Sequence, residues 1–177
     1  PLDQQTHSRG LRVSPFYPRL QELGAKFVFS AGWERPQYFA ANAPLLKDYS
    51  IPERQGWEAQ NWSPLQGAEH LATRDRVALY DLTPFAKFEI TGSGVVNYLQ
   101  TLCANNIDKP VSKVIYTAML DPNGGIMCDL SVSRLGPQKY WVITGGSVHG
   151  HDLAWLKTHL LPTDDSVRIV DVSSSYC

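Results

Sequence analysis

The sequence has few cysteines and no long apolar run, and both scarcities narrow the class of protein. The three cysteines, Cys103, Cys128 and Cys177, are an odd number without a C-x-x-C spacing. They argue against a disulfide scaffold and are typical of a reducing compartment, where Cys103 and Cys128 are expected to be buried thiols. No apolar run approaches the length of a membrane-spanning helix, and we expect no signal or transit peptide at the start of the chain.

Charge is also modest and balanced. Of the 177 residues, 19% are charged and 43% are hydrophobic, and the formal net charge is -1. This composition predicts a soluble globular protein. Because no basic footprint is present, we expect no nucleic acid as a partner, and the composition and the lack of a long apolar run lead us to expect no membrane. The chain starts at Pro1 without Met and stops at Cys177 just after a strand-like run, so we expect it to be a segment of a longer protein.

The glycines and histidines of the sequence do not form a known binding fingerprint. Gly92-x-Gly94 lacks the third glycine and the distant acidic residue of a dinucleotide loop, so we interpret it as a helix start. His149-x-His151-Asp152 contains metal-ligating residues, but its two histidines fall on different faces of a helix start and no third ligand is evident. The sequence therefore predicts no metal site.

Capping residues and turns predict the elements of the first part of the chain. Ser14-Pro15 opens a short helix that Gly24 ends, and Ala25–Phe29 is a possible strand. Gly32-Trp33-Glu34-Arg35-Pro36 is predicted to be a turn that carries an aromatic ring and an ion pair. Residues 37–61 lack periodicity and indicate a long connection or a linker. Ser63-Pro64-Leu65-Gln66 is a capping box that opens a helix to about Thr73.

From Phe85 onward, strands and helices are predicted to alternate. The predicted strands are Phe85–Thr91, Val114–Leu120, Ile126–Arg134, Tyr140–Thr144 and Val167–Val172. One helix follows Gly92-Ser93-Gly94, and another follows Gly145-Gly146-Ser147 and ends at Pro162. The order of strand, helix, three strands, helix and strand predicts an α+β fold, with a mainly antiparallel sheet and ferredoxin-like βαβ units.

Asp121-Pro122-Asn123-Gly124-Gly125 predicts a hairpin turn, since Pro presets φ and Asn and Gly accept positive φ. After the turn, alternation places Ile126, Cys128, Leu130 and Val132 on one face and Met127, Asp129, Ser131 and Ser133 on the other. Asp129 therefore begins the polar line of the strand. A carboxylate there could lie at the rim of a pocket. An ordinary solvated strand face is the alternative, and alternation alone favours it.

Tyr116, in the strand before the hairpin, has a ring that could stack on a flat heterocycle. The alternative is a core tyrosine whose hydroxyl lies at the edge. We expect Tyr116, Asp129 and the loop after Thr144 to meet at one end of neighbouring strands, which is the convergence that a ligand site needs.

The motifs Asp81-Leu82-Thr83-x-Phe85-x-Lys87, Tyr116-Thr117-x-Met119-Leu120 and Gly124-Gly125-x-x-x-Asp129-Leu130 follow one another along the chain. Together they resemble the aminomethyltransferase family, which includes the folate-binding T protein of the glycine cleavage system. Upstream, Ser14-Pro15-Phe16-Tyr17 and Gly32-Trp33-Glu34-Arg35-Pro36 resemble the segment that joins an FAD-dependent oxidoreductase domain to such a folate domain in dimethylglycine and sarcosine dehydrogenases.

This resemblance implies a domain boundary and a reaction. Residues 1–62 would be the C-terminal part of an FAD-dependent oxidoreductase module with its linker, and residues 63–177 would be the N-terminal half of the folate-binding domain. In such enzymes a flavin oxidises an N-methylated glycine to an iminium, and the folate domain passes the one-carbon unit to tetrahydrofolate. The FAD region would lie in the remainder of the parent chain, so this segment alone is expected to be inactive. The implied location is the mitochondrial matrix or the bacterial cytoplasm.

The resemblance also implies roles for individual residues. Asp129 matches the family's conserved aspartate, the acid/base group at the reacting nitrogens of folate. Ile115 and Tyr116 match positions that line the pterin pocket, Phe85 matches an apolar pocket residue, and Gly145 falls at a folate contact where it could offer only its backbone. The glycine cleavage protein often has two adjacent acids where this chain has Cys128-Asp129, which leaves a single carboxylate.

Two other functions remain open. A non-catalytic homologue, similar to the regulatory subunit of pyruvate dehydrogenase phosphatase, would share this domain order and act by protein interaction. A folate-binding repair or demethylase relative would use a different methyl donor, but the Gly32–Pro36 motif belongs to the flavin-linked branch and argues against it.

Overall fold

In the computed structural model of the chain, the described residues are 5–160 and 165–177. They divide into two compact units, one that extends to Leu82 and includes Cys177, and one that spans Thr83–Tyr176. Within the described residues, no helix has the length and apolar character needed to cross a bilayer. These units are defined by packing, whereas the boundary predicted after residue 62 comes from the family resemblance. That domain boundary therefore stays a prediction.

The first unit combines one hairpin with short helices. Its elements are α1 (Tyr17–Glu22), β1 (Ala25–Ser30), β2 (Trp33–Phe39), 3-10 turns at Ala40–Lys47 and Gly56–Ala59, and α2 (Pro64–Asp75). The predicted capping box is confirmed. The Ser63 hydroxyl accepts the Leu65 N–H at 3.3 Å, and the Gln66 side chain accepts the Ser63 N–H at 2.9 Å. These bonds satisfy donors at the start of α2 that have no partner within the helix.

The prediction of a turn over Gly32–Pro36 is wrong. The turn is confined to Ala31 and Gly32, which both adopt positive φ of 53° and 84°, and Trp33–Phe39 pairs with β1 as an antiparallel strand. Two consecutive positive φ values match the twist of a tight hairpin. The ion pair also differs, because Glu34 binds Arg9 at 2.7 Å. This contact with Arg9 holds the pKa of the buried Glu34 carboxyl below its ordinary value.

The second unit is a five-stranded antiparallel sheet with two α-helices. Its elements are β3 (Ala86–Thr91), α3 (Val95–Leu102), β4 (Val114–Leu120), β5 (Ile126–Gly136), β6 (Lys139–Thr144), α4 (His149–Thr158) and β7 (Arg168–Asp171). The strand order is β4-β5-β6-β3-β7. Because β6 and β7 both pair antiparallel with β3, they run parallel to each other around it, as in a split βαβ unit. The predicted α+β class is confirmed; Pro162, the predicted stop of α4, lies outside the described residues.

One face of this sheet forms the core. Its buried side chains come from alternate strand positions and from the two helices: Phe88, Ile90, Leu130, Val132, Tyr140, Val142, Val95, Leu99 and Leu156. Ile126, predicted on this face, is instead 71% exposed. It pairs with Leu120 beyond a register shift at the end of the hairpin, and so it lies outside the area that the core covers.

On the opposite face of the sheet, the start of β3 carries a buried lysine, Lys87. Lys87 alternates with Ala86 and Phe88, which face the core, yet it is itself only 6% exposed. Its ammonium donates to the carbonyls of Thr83 and Phe85, both at 3.0 Å. The charge is therefore buried with hydrogen-bond acceptors in place.

Gly146, after β6, packs directly against the chain before β3. A Cβ at this position would lie 2.1 Å from the Pro84 carbonyl oxygen, whereas a Cβ at Gly150 would meet nothing within 4 Å. The absence of a side chain at Gly146 thus allows two segments of backbone to touch.

We expect Gly146→Ala to destabilise the second unit by about 1–3 kcal/mol, because the added methyl group forces one backbone segment away. Gly150→Ala, inside α4, is the matched control and should be neutral or stabilising by up to about 1 kcal/mol. Urea unfolding of the two variants checks this. Equal stability of both variants would contradict the close packing of Gly146.

Candidate active site

The hairpin turn fixes the positions of the residues around Asp129. The Asp121 carboxylate accepts the N–H groups of Asn123 and Gly125, each at 2.8 Å, and Gly124 adopts a φ of +84°. The ladder that follows pairs Ala118 with Asp129 and Tyr116 with Ser131. The side chain of Asp121 therefore stabilises the turn from which the register of β4 and β5 begins.

Asp129 lies on the face of the sheet away from the core. Its neighbours Cys128 and Leu130 are 3% and 2% exposed, whereas Asp129 itself is exposed. The alternation predicted from the sequence is confirmed here. Two shallow cavities of about 630 and 510 Å³ lie in the first unit around Arg54 and Trp62, and neither includes Asp129. The Asp129 side chain thus reaches solvent from this face of the sheet.

Tyr116 is the side-chain partner of Asp129. It is 69% exposed, and it lies diagonally across the ladder from Asp129 on the same face. The Asp129 carboxylate raises the pKa of the Tyr116 phenol, first by accepting its hydrogen bond and then by its negative charge. The pair therefore presents an aromatic ring beside a carboxylate on the exposed face of the sheet.

The structure brings the loop after Thr144 to the same place. Thr144 pairs with Leu130 on β5 and with Ala86 on β3. Gly145 directly follows β6 and Phe85 directly precedes β3, so extending the same register places both beside Asp129. An added Cβ on Gly145 would meet the Val148 side chain at 3.6 Å, an ordinary van der Waals contact, so close packing does not require glycine at this position.

Ile115 is the one predicted site residue that the structure separates from this group. It pairs with Val132, whose side chain is in the core, and side chains directly opposite each other in a ladder share a face. Ile115 is therefore half-buried on the core side, away from Asp129. This separation follows from the sequence, because the side chains of adjacent strand residues such as Ile115 and Tyr116 point to opposite faces. The role that the resemblance gives to Ile115 stays a prediction.

Farther along the exposed face, Glu89 organises a small polar group. Its carboxylate forms an ion pair with Lys139 at 2.7 Å and accepts the Trp141 indole N–H at 3.1 Å. Both contacts, Lys139 first, lower the pKa of Glu89. No local pattern in the sequence predicts this group, because its members come from β3 and β6 and meet only through strand pairing.

A second cluster lies behind Asp129, on the core side of the sheet. It consists of Cys128, His151 and Asp152, which belong to β5 and to the first turn of α4. Burial raises the pKa of the Cys128 thiol to about 12, with the nearby Asp152 contributing in the same direction. The sequence showed the histidine and the aspartate but not the thiol, since Cys128 belongs to another element. Both predicted buried thiols, Cys103 and Cys128, are confirmed as buried and free.

Comparisons with known proteins agree with the fold and the motifs. The family model described as the GCVT N-terminal domain matches residues 16–177. The mitochondrial pyruvate dehydrogenase phosphatase regulatory subunit of Mus musculus is 34% identical over 98% of this chain and 20% of its own length. The mitochondrial dimethylglycine dehydrogenase of Homo sapiens is 33% identical over 92% of the chain and 18% of its own length.

A solved structure shows the same fold. The glycine cleavage system aminomethyltransferase T from Bartonella henselae superimposes with a TM-score of 0.69 at 21% identity, over 92% of this chain and 38% of that protein. The chain spans about a fifth of the length of the two mitochondrial relatives. Since the family model covers nearly all of the sequence, the chain belongs to the GCVT N-terminal domain family, the family of the aminomethyltransferases.

Proposed function

We propose that this chain is the folate-binding segment of a flavin-dependent enzyme similar to the dimethylglycine and sarcosine dehydrogenases. The enzyme would transfer a one-carbon unit from an oxidised N-methyl amine to tetrahydrofolate. The observation that carries this proposal is the pair of Asp129 and Tyr116, a carboxylate and an aromatic ring side by side on an exposed sheet face. The likeness to dimethylglycine dehydrogenase supports the choice of amine.

The chemistry requires a base at the position of Asp129. An amine nitrogen of tetrahydrofolate that attacks an electrophilic carbon must lose a proton as the new C–N bond forms. A carboxylate positioned beside that nitrogen can accept the proton or stabilise the cation formed on the way. The preceding residue, Cys128, is buried in the core, so Asp129 would act without an adjacent carboxylate.

Tyr116, Phe85 and Gly145 would position the pterin around that carboxylate. The exposed ring of Tyr116 offers a flat surface for stacking. Extending the same register places Gly145 on the other side of Asp129, with Phe85 beyond it. Both sides of the carboxylate thus offer groups suited to a flat, polar heterocycle.

The proposal places this segment in a longer protein. In it, the remainder of the parent chain would cover the exposed face and hold FAD, which supplies the two-electron oxidation of the amine. This chain itself carries no complete dinucleotide fingerprint, so the segment alone would be inactive. The two mitochondrial relatives support a location in the mitochondrial matrix, with the bacterial cytoplasm as the alternative.

A regulatory function is the second candidate, and one observation favours it. The regulatory subunit of pyruvate dehydrogenase phosphatase matches 98% of this chain at 34% identity. A protein of this kind would act through protein interaction and would not need to transfer a one-carbon unit. Titration of the full-length protein with tetrahydrofolate, followed by calorimetry, separates the two candidates. Saturable binding supports the folate proposal, and no binding supports the regulatory one.

In the full-length protein, Asp129→Asn should lower the rate of one-carbon transfer to tetrahydrofolate by about 100-fold or more, because the base is removed. Reduction of the flavin by the amine should stay within about twofold, since that step takes place elsewhere. Product formation and flavin absorbance measure the two rates in the same sample. The control is Asp165→Asn, at another exposed carboxylate of the same unit. Transfer at an undiminished rate in Asp129→Asn would refute the assignment.

The same variant should lower the pKa of Tyr116 toward its ordinary value. Asp129 stabilises the protonated phenol by hydrogen bonding and repels the phenolate, and asparagine carries no charge. NMR titration of ring-labelled tyrosine measures the change, and Tyr116→Phe assigns the resonance. If the Tyr116 pKa is unaltered in Asp129→Asn, the two side chains do not interact.

A further inference from the structure

Three metal-ligating side chains meet between β5 and the first turn of α4. The Cys128 sulfur, an imidazole nitrogen of His151 and a carboxylate oxygen of Asp152 all lie within 4.8 Å of one another. Cys128 reaches this point because its side chain alternates with that of Asp129 and faces the core. The cluster therefore lies on the opposite side of the sheet from the proposed folate site.

Two of the three side chains are fixed and withdrawn from water. Cys128 and Asp152 are 3% and 1% exposed. The Thr144 hydroxyl donates to one oxygen of Asp152 at 2.5 Å, and His151 Nδ1 lies 2.8 Å from the other. The His151 side chain is 50% exposed, so it connects the buried pair to solvent. This arrangement gives an incoming ion a path past the imidazole.

We propose that Cys128, His151 and Asp152 bind one divalent transition-metal cation of the Zn²⁺ type. A sulfur, an imidazole nitrogen and a carboxylate oxygen are the ligand atoms that Zn²⁺ accepts, and three protein ligands leave a fourth position for water. The sulfur favours thiophilic cations over Mg²⁺ and Ca²⁺, which prefer oxygen. Thr144 would act from outside the metal by orienting the Asp152 carboxylate.

Binding requires only a local rearrangement. Zn²⁺ bonds of about 2.0–2.3 Å in a tetrahedron bring ligand atoms to roughly 3.3–3.6 Å from one another, so the cluster must contract. His151 can adjust because its side chain is half exposed. Its hydrogen bond with Asp152 would be replaced by one bond from His151 to the cation and one from Asp152 to the cation. The Cys128 S–H bond breaks, its proton passes to the buffer, and the sulfur bonds the metal without any change of oxidation state.

A bound cation would join the hairpin strand to α4. It would contact neither Asp129 nor Tyr116, whose side chains lie on the other face. The proposal therefore does not rest on the folate function, and either one can fail while the other stands.

Cobalt titration tests the proposal, because Co²⁺ replaces Zn²⁺ and its bond to a thiolate gives a charge-transfer band in the near ultraviolet. The chain is used with Cys177→Ser, which removes the exposed thiol. We expect one Co²⁺ per chain, the thiolate band, and its loss when Zn²⁺ is added. His151→Ala should weaken binding by more than about tenfold, and this exposed position is expected to leave the fold intact.

Two controls separate this site from other thiols and imidazoles. His159→Ala changes an exposed histidine outside the cluster, and Cys103→Ser changes a buried thiol outside it; both should keep the band and the affinity. Cys128→Ser should abolish the band. The proposal is overturned if the folded Cys177→Ser chain gives no thiolate band, or if His151→Ala binds Co²⁺ as tightly as that chain does.

Discussion

The register between β4 and β5 is the constraint on which the rest of the second unit depends. Because side chains alternate along a strand, a slip of one residue would turn Asp129 into the core and Cys128 toward solvent. The two hydrogen bonds that Asp121 accepts inside the turn stabilise the geometry from which this register starts. The location of every candidate functional group on β5 thus follows from a five-residue turn sequence.

The two faces of β5 carry different chemistry within a few residues. On the exposed face, a carboxylate adjoins an aromatic ring. On the core face, a thiol adjoins a buried aspartate and a half-exposed histidine. The buried Thr144 hydroxyl lies 3.4 Å from the backbone carbonyl oxygen of Asp129 and 2.5 Å from the Asp152 carboxylate. The proposed ligand surface and the proposed metal site therefore lie on opposite faces of the same strand.

Much of the fold follows from local signals in the sequence. The capping box at Ser63 and the hairpin at Asp121–Gly125 involve neighbours in the chain, and both are predicted correctly for that reason. The strand at Trp33–Phe39 is missed because it contains Pro36 and follows Ala31, a residue that rarely adopts positive φ. Tertiary pairing overrides these local preferences.

Contacts between residues that are distant in the sequence were harder to predict than the local elements. Alternation and the order of strands are sufficient to bring Tyr116 and Asp129 to one face. The pairing of Glu34 with Arg9, across 25 positions, has no local signal. The same holds for Cys128, which joins His151 and Asp152 only after β5 packs against α4. Groups assembled from separate elements become visible once the fold is known.

A crystal structure of the full-length protein with tetrahydrofolate bound tests the central claim most directly. The account predicts the pterin ring on the exposed face of β4 and β5, with a ring nitrogen within hydrogen-bond distance of the Asp129 carboxylate and Tyr116 against the heterocycle. A pterin bound on another surface, with Asp129 left in contact with water alone, would contradict it.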